Sequence, residues 1–115
     1  MVKADPKRKQ AGRFAYAGLD RVIHEPARLA ILTVLSACDQ ADFTFLLRIT
    51  GLTNGNLSTH LSKLESAQLV SIEKRFVSKK PQTLISLTTT GRRQLDEHWR
   101  QLKELRKHAS AIKKE

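Results

Sequence analysis

This chain is poor in cysteine, in aromatic residues and in acids. Its single cysteine, Cys38, excludes a disulfide within the chain and fits a reducing compartment. Aromatics are only 5% of residues, so a deep pocket within one subunit is not expected. No apolar run is long enough to cross a bilayer and no hydrophobic signal stretch is evident, so the expected location is cytoplasmic, with no membrane partner. There is no glycine-rich phosphate loop and no His-Glu-x-x-His, and no Ser, Cys or Asp stands out as an activated nucleophile. The chain is therefore expected not to be an enzyme and to need no cofactor. No internal repeat is evident.

The shortage of acids leaves a formal charge of +10 over 115 residues. Such an excess favours polyanionic partners. The charge is uneven. Lys3, Lys7, Arg8, Lys9 and Arg13 face a single acid, Asp5, in residues 1–18, which read as a flexible basic arm. The middle of the chain is nearly balanced, and residues 92–115 are basic again. One domain is expected, extended by a terminal arm and a long helix.

Hydrophobic spacing orders the elements. Pro26 suits a first helical turn, where its missing N–H is not needed, and Leu29, Ile31, Leu32, Val34 and Leu35 then give an apolar face that ends near Ala37. Asp39–Asp42 reads as a polar connection, with Asp42 as the cap of a second helix. Phe43, Leu46, Leu47 and Thr50 fall at i, i+3, i+4 and i+7. Gly51 supplies a permissive backbone at that helix end, and Thr53 can cap a third helix. In the third helix Leu57, Leu61 and Leu64 share a stripe. Gly55, Thr59, Ser62 and Ser66 point the other way, flanked by Asn56, Ser58 and Lys63.

Leu69–Lys74 alternates as a strand, Leu84–Leu87 reads as its partner, and Arg75, Lys79, Lys80 and Pro81 lie between them in a basic hairpin. Thr88-Thr89-Thr90-Gly91 leads into a final helix with Leu95, His98, Leu102, Leu105, Ala109 and Ile112 at 3–4 spacing and Trp99 beside them. So narrow a seam on a charged helix fits pairing with another helix. The fold class is mainly α with a small β-hairpin, a winged helix-turn-helix with a long C-terminal dimerisation helix. The expected division is an arm over 1–18, the winged unit over 19–90 and the dimerisation helix over 91–115.

The segments Leu19–Leu32, Asp42–Leu46, Gly51–Glu65 and Leu87–Arg92 together resemble the winged-helix transcriptional regulators related to the MarR and ArsR groups. The likeness spans roughly residues 19–105. It implies a sequence-specific homodimeric regulator acting on double-stranded DNA at a palindromic operator. The third helix, about 54–67, would enter the major groove, and the wing, about 70–87, would lie on the backbone or minor groove. The resemblance also allows an unidentified effector between subunits. The alternative is a winged-helix module for protein or RNA interaction.

The residue chemistry is consistent with the DNA reading. Asn54 and Asn56 each offer a donor and an acceptor, which suits adenine, and Ser58, Thr59 and Ser62 can reach bases or phosphate. Gly55 would permit close approach to a phosphate. Lys63, Arg75, Lys79 and Lys80 are phosphate partners that release counterions. For His60 the resemblance suggests a phosphate or structural contact, against the alternative of a packing histidine. The expected dimer seam is Leu95, His98, Trp99, Leu102, Leu105, Ala109 and Ile112. Asp96, His98 and His108 faintly resemble ligands that ArsR-like metal sensors use, but Ala111 and Ile112 stand near where another ligand would fall. No metal is expected. Cys38 reads as a small packing residue.

Overall fold

The computed structural model describes residues 18–112. The basic arm expected over 1–18 thus lies, save for Gly18, outside the described residues. The first helix, α1, spans Pro26–Ala37 with Pro26 at its start. Its cap is Glu25, whose carboxylate accepts from the N–H groups of Ala27 at 2.9 Å and Arg28 at 3.2 Å. Ile31, Leu32 and Leu35 on its inner face are fully buried. The expected polar connection contains a short strand, β1, Ala41–Asp42.

Helix α2 spans Phe43–Thr50, and α3 spans Asn54–Ser66. Both are capped as their sequences require. Asp42 Oδ1 accepts from Phe45 N at 2.7 Å, and Thr53 Oγ1 accepts from Asn56 N at 3.1 Å. Between them Gly51 adopts φ 71°, and its N–H returns to the Leu47 carbonyl at 2.9 Å. A left-handed residue here suits glycine and ends α2 in a tight turn. Leu57, Leu61 and Leu64 then bury one stripe of α3 in the core.

Strands β2, Val70–Val77, and β3, Lys80–Leu87, form an antiparallel hairpin from Val70↔Leu87 to Val77↔Lys80. The sheet order is β1-β3-β2, with Ala41 opposite Ile85. The hairpin is longer than the expected strands, so Arg75, Lys80 and Pro81 lie within strands rather than in a loop. Pro81 sits where β3 has a ladder neighbour on one side only, because β1 stops at Asp42. A residue without an N–H is tolerated there.

The last helix, α4, spans Thr89–Ser110. Thr88 caps it by accepting from Gly91 N at 2.8 Å, and the Thr88 N–H donates to Leu69 O at 3.1 Å. A Cβ on residue 91 would lie 2.0 Å from Leu69 O, so the Leu-Thr-x-x-Gly entry is a close approach of α4 to the α3–β2 junction. No helix among the described residues is long and apolar enough to cross a membrane.

Candidate nucleic-acid interface

Burial of the leucine stripe fixes what α3 presents outward. Asn54, Gly55, Asn56, Ser58, Thr59, Ser62 and Lys63 are all exposed. These side chains offer donors, acceptors and one cation, and most are short enough for a surface to approach the helix closely. Arg75, Lys79 and Lys80 are exposed on the hairpin, with Arg75 Nη1 3.8 Å from Glu73 Oε1. Between helix and hairpin lies an open cleft of about 670 Å³, lined by Ser58, Leu61, Ser62 and Glu65 of α3, by Ile72, Lys74 and Thr83 of the hairpin, and by Phe43. Lys74 was not singled out in the sequence, because it closes an alternating strand pattern. Only the hairpin's placement shows that it faces α3.

His60 occupies a different setting from its neighbours on α3. It is half-buried, with Nδ1 3.2 Å from Glu25 Oε2 and 3.2 Å from Arg28 Nη1. Arg28 in turn donates through Nε to the Val22 carbonyl at 2.6 Å. This network ties α3 to the start of α1. Burial acts to raise the Glu25 pKa, but the N–H groups of Ala27 and Arg28 and the charges of His60 and Arg28 outweigh it. The carboxyl therefore sits below its ordinary value.

The residues expected at the seam divide into two sets. Leu95 and His98 are each 1% exposed and face the protomer's own core. His98 Nε2 lies 3.1 Å from Nδ1 of His24, and its own Nδ1 has no hydrogen-bond partner among the described residues. Burial, then the charge of His24, hold the His98 pKa below its ordinary value against the opposing pull of Asp20. Trp99 is 43% exposed, Leu102 and Leu105 are half-buried and Ala109 is exposed along α4. Ile112, 54% exposed, falls beyond the helix, which ends at Ser110 and so does not carry the seam as far as expected. Among the described residues no group of three or more His, Cys, Asp or Glu is placed to hold a metal ion. Cys38 is half-buried, and its Sγ donates to the Val34 carbonyl.

Three helices, a tight turn before the third and a basic hairpin at its side define a winged helix-turn-helix protein. Residues 27–106 match the family model described as the winged helix DNA-binding domain, and the chain belongs to that family. It is 32% identical over 72 residues to an uncharacterized protein of Methanocaldococcus jannaschii, covering 63% of this chain and 78% of that one. The fold also matches a transcriptional regulator homologue from Pyrococcus horikoshii, with a TM-score of 0.66 and 28% identity over 80% of this chain and 88% of the other. A MarR-family transcriptional regulator from Silicibacter pomeroyi shares the fold at a TM-score of 0.57 and 22% identity, over 78% and 57% of the two chains. The expected resemblance to winged-helix transcriptional regulators therefore holds, with the family that of a winged-helix DNA-binding domain.

Proposed function

We propose that the chain is a homodimeric, sequence-specific regulator of transcription rather than an enzyme, working in the cytoplasm on a palindromic operator in double-stranded DNA. Helix α3 enters the major groove and reads base edges with Asn54, Asn56, Ser58, Thr59 and Ser62. Lys63, Arg75, Lys79 and Lys80 contact phosphates, and the hairpin lies along the backbone or the adjacent minor groove. The observation that carries this reading is the two-sided α3. Its leucines are locked in the core while its outer face is uniformly small and polar, beside a basic hairpin.

Dimerisation rests on α4. Among the described residues the stripe that begins at Leu95 is buried as far as His98, half-buried at Leu102 and Leu105, and exposed at Ala109. That incomplete cover, on a helix rich in charge, favours a second copy as the partner. The interface between the two copies is the place for an effector, which the resemblance allows.

Selection of duplexes from a random pool, followed by gel shift with scrambled competitor, tests the reading. A recovered inverted repeat bound at least a thousandfold more tightly than scrambled duplex is the expected result. Equal affinity for selected and scrambled DNA at physiological salt would reject sequence-specific regulation and favour an interaction module for RNA or protein.

A further inference from the structure

The outer half of the hairpin carries an apolar group that nothing among the described residues covers. Phe76 is 75% exposed and Val77 is 47% exposed, and every residue from Glu73 to Pro81 is exposed. Phe76 pairs across the ladder with Pro81. Residues two apart on a strand, and residues directly opposed, share a face of the sheet. Phe76 therefore lies on the face that carries Ile72, Lys74 and Thr83, three residues that line the cleft opposite α3. It looks towards the side of the molecule that α3 presents, further out along the hairpin.

Charge identifies the occupant. The outer hairpin carries Lys74, Arg75, Lys79 and Lys80 against one acid, Glu73, which lies beside Arg75. Lys74 shares the face of Phe76, and Arg75 and Lys80 lie on the other face. An apolar protein patch seated on Phe76 would strip water from these cations without compensation, whereas a polyanion with an apolar interior satisfies both. Duplex DNA is such a partner. At roughly 3.3 Å per residue, Lys74 stands about 7 Å and Phe76 about 13 Å beyond Ile72. With α3 in a major groove, that spacing puts Lys74 at the sugar–phosphate backbone and Phe76 past it, over the next minor groove. The turn beyond holds Ser78 at φ 51° and Lys79 at φ 65°. Two successive left-handed residues make the tight reversal that a two-residue hairpin needs, and they fix the direction of the tip.

We infer that Phe76, backed by Pro81, is an apolar wedge that enters the minor groove beside the groove read by α3. There it part-unstacks a flexible pyrimidine–purine step and bends the duplex. Apolar side chains do this in minor-groove binders, and TA and CA steps yield most easily, so Phe76 adds sequence preference without hydrogen bonds to bases. The inference rests on the DNA-binding reading above.

The test uses the full chain and a 30-base-pair duplex selected by the wild type from a random pool, with a donor and an acceptor dye at its ends. Binding of wild type is expected to raise energy transfer. Replacing the step under the hairpin by AA is expected to weaken binding. Phe76→Ala is expected to lower affinity about tenfold and to leave the duplex straight, while Phe76→Leu keeps most of the bend. Both variants should melt with the wild type, because the side chain is exposed. A Phe76→Ala protein that binds and bends like wild type would overturn the wedge while leaving the regulator reading intact. Loss of self-association in sedimentation with DNA bending preserved would assign the patch to a second copy and also overturn it. A wild type that binds no duplex at all would reject the regulator reading, and the wedge with it.

Discussion

Gly91→Ala sets helix propensity against packing, and the structure decides the sign. Propensity alone favours alanine in a helix by about 1 kcal/mol. Against this, the new Cβ would stand 2.0 Å from Leu69 O and 2.9 Å from both Leu69 C and Leu87 Cδ1. Carbon and oxygen in contact lie at about 3.3 Å or more, so the start of α4 would have to retreat by roughly 1 Å. Two of the three obstructing atoms are backbone and cannot rotate away. The retreat also strains the Thr88 N–H and hydroxyl contacts to Leu69 O, each at 3.1 Å. Overpacking costs about 1–3 kcal/mol and each weakened hydrogen bond about 1 kcal/mol. The net expectation is a loss of roughly 2–4 kcal/mol, or about 8–16 °C in melting temperature. Urea unfolding followed by circular dichroism, at one fixed protein concentration, gives the midpoint. Gly55→Ala is the matched control. That position is exposed, with nothing within 4 Å of its added Cβ. It should gain about 0.5 kcal/mol from propensity. A Gly91→Ala midpoint at or above wild type would refute the close approach on which the geometry of α4 depends.

The remaining predictions concern single sites. Folded His98 resists protonation, so below its ordinary pKa of 6.5 the unfolded chain binds the extra proton, and stability should fall as pH drops. His98→Leu should flatten that limb of a urea-midpoint series between pH 7 and 5, and an unchanged slope would reject the assignment. Gln68 holds φ 62° just after α3, so Gln68→Gly should stabilise by about 0.5–1 kcal/mol in the same assay. Leu102→Glu should leave a monomer in sedimentation, and a wild type that is already monomeric would remove the proposed seam. Thr59→Ala with Ser62→Ala should erode the ratio of selected to scrambled binding more than total affinity. Lys79→Ala with Lys80→Ala should weaken both alike and lower the logarithmic salt slope by about 2.

What was legible in the sequence was local. Asp42, Gly51 and Thr53 each act on backbone groups within four residues, so spacing alone reveals their roles. The stripe of Leu57, Leu61 and Leu64 is equally local, and all three are buried. The Glu25 cap was not legible, because glutamate seldom caps and its carboxylate also answers to Arg28 and His60. Two residues of β1 carry no alternation to detect. The extension of the hairpin past Lys74 was not legible because its outer half is exposed on both faces and so shows no alternation. Its turn residues, Ser78 and Lys79, lack the glycine or asparagine that usually announces two positive φ angles. His98 read as a seam residue because its periodicity matches the stripe. Its real cover is His24, 74 positions earlier, and no window of sequence brings the two together.

In the proposed reading, charge and base readout fall to different elements, with consequences for how the protein would find a site. On α3 the one lysine, Lys63, is offset by Glu65, and His60 is held against Glu25. On that reading, long-range attraction to DNA comes from Lys74, Arg75, Lys79 and Lys80 on the hairpin, from α4, where Arg92 and Arg93 are exposed, and from the cations of residues 1–18. Attraction of that kind is insensitive to sequence and steeply reduced by salt, whereas hydrogen bonds from Asn56, Thr59 or Ser62 are not. The buried leucines hold α3 against the core, and the Glu25–Arg28–His60 network ties it to the start of α1. Loosening that network, as in His60→Ala, leaves every proposed DNA-contacting cation in place but frees α3 to tilt. The ratio of specific to non-specific binding should then fall while the salt slope stays at its wild-type value.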